Sequence, residues 1–321
     1  MSPLVEPADI RDAAERLRGI AVRTPLLPAD WLSEAVGAEV RLKCENLQRA
    51  GAFKIRGAYT MVSRLPEEAR RRGVITYSSG NHAQAVALAA RTFGIPAVVV
   101  MPTTAPDVKR DGARRLGAEV VFEGTTSIER QRRAEAIAEE RGLVIVPPFD
   151  HPDIIAGQGT AGLEILEDWP EVDAVLVPVG GGGLLSGIAA WIKRARPECR
   201  VIGVEPVGAD AMRRSIEAGS ATTIDVRPSI ADGLLPVRPG DLTFAHARDL
   251  VDDIVTVEDD AIAEAARRLI TGSRLLVEFS GAATTAALLS GHGPRDARRI
   301  AVVLSGGNLD PSRAAAVLSG A

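Results

Sequence analysis

The sequence is poor in cysteine and has no long apolar run. Two of the 321 residues are cysteines, Cys44 and Cys199, and neither has a second cysteine or a histidine at the spacing of metal ligands. This pattern excludes a disulfide framework and a zinc site, and it is typical of a reducing compartment. No segment has 18 uncharged apolar residues, so a transmembrane helix is excluded as well. We therefore expect a cytoplasmic protein.

The chain also has no excess of positive charge. Its formal net charge is −4, so it lacks the basic field that a nucleic acid or an anionic membrane surface would attract. Its length allows one large or two moderate domains, each with a core of its own. These properties favour a small molecule as the ligand and exclude a nucleic-acid or membrane partner.

Lysine is far scarcer than arginine in this sequence. Four of the 38 lysines and arginines are lysines, and a lysine amine becomes neutral far more readily than a guanidinium does. Lys43 alternates with charged residues in a predicted strand, and Lys109 and Lys193 have charged neighbours in predicted helices, so all three are expected on the surface. Lys54 differs, because it stands between Phe53 and an isoleucine after an Ala-Gly-Ala run. Composition alone favours a partly buried structural lysine there.

Two series of short apolar runs alternate with helical stretches. Between residues 73 and 147 the runs are GVITYSS, AVVVMP, AEVVFEG and LVIVPP, and the predicted helices are 81–93, 106–116 and 125–140. A second series contains VDAVLVPV, CRVIGVEP, DDIVTV and RRIAVVLSGG, with predicted helices over 184–195 and 258–272. This alternation predicts an α/β fold with two open, twisted, largely parallel sheets flanked by helices.

The two series also suggest a division of the chain. The early runs TPLLPA and AEVRLKCE have no partners of their own and are expected to join the later sheet. We therefore predict a large domain from residues 1–70 and 150–321, and a small domain from residues 71–149. Ligands of open α/β sheets bind beyond the carboxyl ends of the strands. Three loops occupy such ends, namely SSGNHA, VGGGGLLSG and LSGGN.

A run of four glycines follows one predicted strand and precedes a helix. Such a run lets several backbone N–H groups approach one anion, and the helix N-terminus adds its positive dipole end, so the run favours a phosphate site. A tight turn is the simpler alternative, although one or two glycines would be enough for it. The spacing does not match a dinucleotide-binding motif. Glu205, at the end of the next strand, does resemble the ribose-binding acid of such sites, so a nicotinamide-dependent dehydrogenase stays an alternative.

The other two loops leave the choice between structure and function open. In SSGNHA, the side chains of Ser78, Ser79 and Asn81 suit a helix N-cap as well as a site that binds a carboxylate. In LSGGN, Ser305 could offer a neutral hydrogen bond to a heteroaromatic nitrogen. A phosphate site combined with one lysine in apolar surroundings is the set of groups that pyridoxal phosphate chemistry requires. That combination changes the interpretation of Lys54 from a structural to a catalytic residue.

Several motifs together resemble one family. In chain order they are ENLQRAGAFKIRGA, SSGNHAQAVA, VPVGGGGLLSGIA, GVEP and VLSGGN. They resemble the pyridoxal-phosphate enzymes of fold type II, the tryptophan synthase β-like fold, and in particular the threonine and serine dehydratase and serine racemase group. The resemblance covers nearly the whole chain, from about Thr24 to Asn308, and it implies a homodimer or homotetramer.

The resemblance implies roles for the residues at matching positions. Lys54 would carry pyridoxal 5'-phosphate covalently, and Phe53 would lie beside it. Asn81 would hydrogen-bond the 3-hydroxyl group of the ring, and Ser305 would face the ring nitrogen without holding it protonated, which favours elimination over transamination. Main-chain N–H groups would bind the phosphate at Gly180, Gly181, Gly182, Gly183 and Leu184.

The implied reaction converts L-threonine or L-serine into a 2-oxo acid and ammonia. Lys54 would act as general base at the α-carbon. A serine at the position of Ser79 reprotonates the opposite face in racemases of this group, so a serine racemase stays an alternative. A non-catalytic amino-acid sensor on the same fold is a further alternative. The substrate carboxylate would be held by Ser78, Ser79, Asn81 and His82.

Some positions depart from the usual motifs. Ala52 replaces a serine, a variant associated with some racemases and 3-hydroxyaspartate dehydratases, and Phe279 stands where proline is usual. Metal-dependent members of the group bind a cation through a glutamate, a backbone carbonyl and an aspartate. Glu205 and Ala209 match the first two positions, but Ala211 occupies the aspartate position. A divalent or monovalent cation site is therefore incomplete in this sequence.

Overall fold

The computed structural model describes residues 3–78, 80–105 and 107–319. In chain order its strands are β1 (Leu26–Pro28), β2 (Glu39–Lys43), β3 (Val74–Tyr77), β4 (Ala97–Met101), β5 (Glu119–Phe122), β6 (Val144–Ile145), β7 (Ala174–Pro178), β8 (Arg200–Pro206), β9 (Asp253–Val257) and β10 (Arg299–Val303). The strands form a six-stranded sheet in the order β1-β2-β10-β7-β8-β9 and a four-stranded sheet in the order β5-β4-β3-β6. Only β1 and β2 pair antiparallel among the strands described.

Helices connect the parallel strands. In chain order they are α1 (Pro7–Leu17), α2 (Asp30–Val36), α3 (Ile55–Arg64), α4 (Glu67–Arg72), α5 (Asn81–Phe93), α6 (Asp107–Arg115), α7 (Ser127–Arg141), α8 (Pro152–Asp168), α9 (Gly183–Ala195), α10 (Ala211–Ala218), α11 (Asp241–Leu250), α12 (Asp259–Ser273), α13 (Phe279–Leu289) and α14 (Pro311–Ser319). Within the described ranges, none of them combines the length and the apolar character that a membrane crossing requires.

The predicted α/β architecture with two open sheets is confirmed. The predicted helix 81–93 is α5, and the helices predicted over 184–195 and 258–272 correspond to α9 and α12 within a residue. The early strands β1 and β2 join the later sheet as expected. These elements follow the sequence closely because their apolar runs are bounded by glycine and proline.

The larger sheet is buried on both faces. Ile300 and Val302 of β10 face a layer that contains α12 and α13, whereas Ala301 and Val303 face a layer that contains α8 and α9. This alternation is the two-residue period of a strand. All five residues of β7 are buried, which explains its unbroken apolar run.

The smaller sheet packs against a helix that precedes it in the chain. Ile55, Ala58 and Val62 of α3 share one apolar cluster with Val74 and Val99 of β3 and β4. The core on this side therefore includes chain outside residues 71–149, although every strand of the smaller sheet lies within that range. The division into residues 1–70 with 150–321 and residues 71–149 stays a proposal.

Candidate active site

The loop that carries Lys54 is held against the end of β10. Ala52 forms an antiparallel bridge with Gly306, and the N–H of Phe53 donates a 3.1 Å hydrogen bond to the carbonyl oxygen of Ser305. Lys54 follows directly and precedes the first turn of α3. These contacts position the backbone from which the lysine side chain extends.

The amine of Lys54 lies in partly buried, mainly uncharged surroundings. Its Nζ donates a 2.7 Å hydrogen bond to the carbonyl oxygen of Pro148 and lies 5.1 Å from the centre of the Phe53 ring. Removal from water lowers the pKa of Lys54 to about 8, and the charge of Glu278 opposes this shift. A substantial neutral fraction of this amine is therefore present in slightly alkaline solution.

Phe149 joins the surroundings of the amine to the glycine loop, residues 180–183 between β7 and α9. It follows Pro148 directly, and a Cβ added at Gly181 would overlap its ring. A Cβ at Gly183 would lie 3.1 Å from the Phe149 Cβ. The amine of Lys54 and the glycine loop therefore contact two adjacent residues, Pro148 and Phe149.

The backbone of the glycine loop points into the first turn of α9. Gly182 has a φ of +93°, a conformation that favours glycine. The hydroxyl of Thr243 donates a 2.7 Å hydrogen bond to the carbonyl oxygen of Gly181, and Leu184 is buried in the first helical turn. The N-terminus of this 13-residue helix supplies backbone N–H groups and a positive dipole end.

The SSGNHA loop leaves β3 and enters α5. Ser79 lies outside the described residues. The N–H of Gly80 donates a 3.4 Å hydrogen bond to Oγ of Ser78. Gly80 is the N-cap residue of α5 and provides no side-chain cap. Helix capping, the structural alternative for Ser78 and Asn81, is therefore not the arrangement seen here.

His82 is a buried, neutral side chain near Lys54. Its Nε2 lies 3.0 Å from the carbonyl oxygen of Val146, which also accepts a 2.8 Å hydrogen bond from Thr76. Because a carbonyl oxygen can only accept, Nε2 carries the proton and Nδ1 does not. Burial, with a smaller contribution from the charge of Lys54, lowers the pKa of His82 to about 3.

Asn81 contacts Glu278, to which no motif in the sequence pointed, and Asn308, the last residue of LSGGN. Its Nδ2 donates a 2.7 Å hydrogen bond to Glu278 Oε1, and its Oδ1 accepts a 2.9 Å hydrogen bond from Asn308 Nδ2. Ser305, three residues before Asn308, is buried, and a Cβ at the next residue, Gly306, would lie 3.0 Å from Asn81 Nδ2. The available signal for Glu278 was a lone carboxylate in the apolar stretch 275–283.

The expectation that Lys43 is exposed to solvent is wrong. Lys43 is fully buried, and its Nζ donates a 2.5 Å hydrogen bond to Glu164 Oε2. Arg56 is also buried and donates hydrogen bonds of 2.7–2.8 Å to Glu164 and Glu45. Alternation along β2 suggested a solvated face, but Glu164 of α8 contacts Lys43 there, and Glu164 and Glu45 supply the opposite charges.

Glu205 and Asp210, the acidic side chains near the expected cation site, already bind other groups of the chain. The two carboxylate oxygens of Glu205 accept 2.9 Å hydrogen bonds from the N–H groups of Met212 and Arg213 at the start of α10. Burial raises the pKa of Glu205 to about 8. Asp210 forms ion pairs with Arg213 and Arg214. Among the described residues, no group of three His, Cys, Asp or Glu side chains could hold a metal ion.

The contacts of Glu205 also bear on the dehydrogenase alternative. A ribose-binding acid needs its oxygens directed toward the ligand, whereas both oxygens of Glu205 face the N–H groups of α10. The arrangement instead combines an anion-binding loop, a lysine amine of lowered pKa, and an amide group beside a carboxylate. These groups suit a phosphate-bearing cofactor that reacts with an amine.

Comparisons with known proteins agree with this chemistry. Residues 17–306 match the family model described as pyridoxal-phosphate dependent enzyme. The chain is 46% identical to an L-threonine ammonia-lyase of Thermotoga maritima over 94% of this chain and 75% of that protein. It is 42% identical to an L-threo-3-hydroxyaspartate ammonia-lyase of Pseudomonas sp over 97% and 98% of the two chains. The structure of maize serine racemase aligns with a TM-score of 0.94 and 39% identity, covering 97% of this chain and 95% of that one.

Proposed function

We propose that this chain, which belongs to the family of pyridoxal-phosphate-dependent enzymes, is an ammonia-lyase acting on L-threonine and L-serine. The observation that carries the proposal is the segment 148–149, which contacts both the amine of Lys54 and the glycine loop. A similar relative, the L-threonine ammonia-lyase of Thermotoga maritima, supports the choice of threonine.

The residues present fit the cofactor of this family. The glycine loop has no side chains to obstruct an anion at the N-terminus of α9, and its phosphate-binding role is proposed for residues 180–184. Close packing and backbone conformation already account for glycine at Gly181 and Gly182, so the argument for phosphate rests on the helix N-terminus. Pyridoxal phosphate, when bound, draws electrons from the α-carbon of an amino acid.

Lys54 would both hold the cofactor and move the proton. Because burial lowers its pKa to about 8, part of the amine is neutral in slightly alkaline solution and can take the proton from the substrate α-carbon. That proton leaves with the β-hydroxyl group as water, and hydrolysis then yields ammonia and a 2-oxo acid. Phe53, 5.1 Å from the Lys54 amine, would flank the reacting group.

The remaining residues would bind and orient. Ser305 would face the ring nitrogen with a neutral hydroxyl, which favours elimination over transamination. Asn81 would donate to the ring hydroxyl group. The substrate carboxylate would lie at the N-terminus of α5, within reach of Ser78 and the backbone of residues 80–82.

A 3-hydroxyaspartate lyase or a serine racemase is the second candidate. It is favoured by Ala52, which replaces the usual serine and is 2% exposed where it pairs with Gly306. Relatives with these two activities are similar to the chain over nearly its whole length. The two lyase activities would differ in the atoms that contact the β-substituent, and racemisation would differ in the group that reprotonates the opposite face of the α-carbon, whereas the cofactor is the same.

The test is an assay for 2-oxo acid and ammonia with threonine, serine, 3-hydroxyaspartate and phenylserine. Both enantiomers are assayed with and without Mg²⁺, and chiral analysis measures racemisation. Fastest release of ammonia from L-threonine or L-serine supports the proposal. Preference for 3-hydroxyaspartate or dominant racemisation would replace it with the second candidate, and binding without turnover would favour a sensor.

Two further expectations accompany this proposal. The two cysteines are free and buried, in keeping with a cytoplasmic enzyme, which fractionation of the native cells would test. Leu47 and Leu276 are each about half exposed, and such side chains suit the contact surface of a homodimer or homotetramer. Light scattering of the purified protein would give its oligomeric state.

A further inference from the structure

Glu278 is a buried carboxylate that the proposed reaction does not use. It precedes α13 directly and is 7% exposed. Its backbone N–H donates a 3.0 Å hydrogen bond to the carbonyl oxygen of Gly306. A carboxylate in such surroundings is costly unless other groups compensate its charge. The cost of burying this carboxylate indicates that Glu278 has a functional role.

The carboxylate determines the orientation of the Asn81 amide. A carboxylate can only accept hydrogen bonds, so the atom 2.7 Å from Glu278 Oε1 must be the NH₂ group of Asn81. Asn308 supports the same orientation, because its own NH₂ donates to Asn81 Oδ1 at 2.9 Å and to the carbonyl oxygen of Ala50 at 2.8 Å. Flipping the Asn81 amide would place its oxygen against the Glu278 carboxylate and its NH₂ group against the NH₂ group of Asn308.

Two glycines make room for this group of side chains. A Cβ at Gly306 would overlap Glu278 Oε1 and lie 3.0 Å from Asn81 Nδ2. A Cβ at Gly51 would overlap the Asn308 amide. The backbones around Lys54 and after β10 thus pack closely on Glu278, Asn81 and Asn308, so their side chains have little room to rearrange.

The charge of Glu278 also acts on Lys54. Gly306, whose added Cβ would overlap Glu278 Oε1, pairs with Ala52, two residues before Lys54. Glu278 opposes the effect of burial on the pKa of Lys54, so it is a negative charge near the lysine nitrogen. His82 is neutral because burial lowers its pKa to about 3.

We propose that Glu278 is a positioning residue that fixes the Asn81 amide with a hydrogen-bond donor toward the cofactor and that balances the charge on the Lys54 nitrogen. The NH₂ group of Asn81 has two hydrogens and Glu278 accepts one, so the other is the donor available to an anionic ring oxygen. The inference goes beyond the proposed function, since it holds for each of the candidate substrates.

The test compares visible absorption and circular dichroism of resting holoenzymes from neutral to alkaline pH. Glu278→Gln removes the charge and lets the side chain donate, so Asn81 can turn. We expect the visible band to titrate about one pH unit lower than in the wild type, the scale of a nearby opposite charge, and the visible circular dichroism to weaken. Glu258→Gln, at an exposed glutamate before α12, is the control for loss of one charge.

A second variant separates orientation from charge. Asn308→Ala removes the other contact of Asn81 but keeps the carboxylate, so its circular dichroism and pH titration should both stay close to those of the wild type. Spectra of Glu278→Gln that equal the wild type at every pH would overturn the proposal. Should Glu278→Gln not fold, loss of most of the visible circular dichroism in Asn308→Ala overturns it, because the carboxylate alone would then not fix the amide. These spectra require no substrate, so a wrong choice of substrate would leave their outcome intact.

Discussion

The side-chain amine of Lys54 donates a 2.7 Å hydrogen bond to the backbone carbonyl oxygen of Pro148, 94 residues later in the chain. This contact brings the loop before α3 against the segment that follows β6. The neighbouring residue, Phe149, packs on the glycine loop. One short segment, residues 148–149, thus contacts both the Lys54 amine and the loop proposed to bind phosphate.

Replacement of Lys54 by alanine should remove the visible absorption band of the lysine-bound cofactor and reduce ammonia release by at least about 100-fold, the lower end of what a positioned general base contributes. Lys193→Ala is the matched control, because Lys193 forms an ion pair with Asp252 at 3.0 Å, away from the proposed site. A visible band that persists in Lys54→Ala would contradict the assignment.

Replacement of Gly182 by alanine should weaken cofactor binding by about tenfold or more. The φ of +93° at this position disfavours an L residue by about 1–2 kcal/mol, and a Cβ would lie 2.5 Å from Met212 Cε. Gly37→Ala is the control, since its φ is +72° but nothing lies within 4 Å of its Cβ. Fluorescence titration with the cofactor should show the loss only in Gly182→Ala.

Capture of pyridoxal phosphate by the cofactor-free protein should depend on pH through Lys54. The neutral amine is the nucleophile, and burial lowers its pKa to about 8. The rate should therefore rise with pH through a midpoint near 8, because more of the amine loses its proton. Stopped-flow absorbance measures the rate, and pyridoxal, which has no phosphate to titrate, is the control. A midpoint near the ordinary value of 10.5 would refute the prediction.

Glu164 and Glu167 both lie in α8, but only Glu164 belongs to the buried ion network of Lys43, Glu45, Arg56 and Glu164. Glu164→Ala should lower the free energy of unfolding by about 3–5 kcal/mol, because it leaves Lys43 and Arg56 buried with less opposite charge. Glu167→Ala should cost about 0–1 kcal/mol, because its ion pair with Arg23 is about half exposed. Denaturant unfolding of the wild-type holoenzyme and of the two variant holoenzymes measures these free energies. Equal losses of unfolding free energy would show that the buried ion pairs of Glu164 stabilise the protein no more than the exposed pair of Glu167.

Replacement of Ser79 by alanine should reduce racemisation by about 100-fold or more, with a much smaller effect on ammonia release. Ser79 lies outside the described residues, so this prediction rests on the resemblance to the racemases alone. Ser78→Ala is the comparison, because loss of a contact to the substrate carboxylate should reduce both reactions together. Chiral chromatography of serine together with the ammonia assay measures both reactions. Equal reduction of the two would argue against a separate role of Ser79 on the second face.

Local patterns in the sequence were sufficient for most of the fold. The apolar runs and their glycine and proline boundaries predicted β3, β4, β7 and α5, and the large sheet received β1 and β2 as expected. Such patterns succeed because the period of a strand or helix depends on neighbours within a few residues. They predicted Lys54 and the glycine loop for the same reason.

Those local patterns could not predict contacts between distant parts of the chain. Lys43 has the spacing of an exposed strand residue, yet Glu164, 121 residues away, compensates its charge in the interior. Glu278 meets Asn81 across 197 residues.

By itself, then, the sequence determined the α/β layering and the cofactor family, and it singled out Lys54 as the proposed reactive lysine, because each depends on short motifs whose chemistry is local. The tertiary structure alone decided which charges are buried and how the Asn81 amide is oriented, because burial and hydrogen-bond direction depend on the groups that folding brings together.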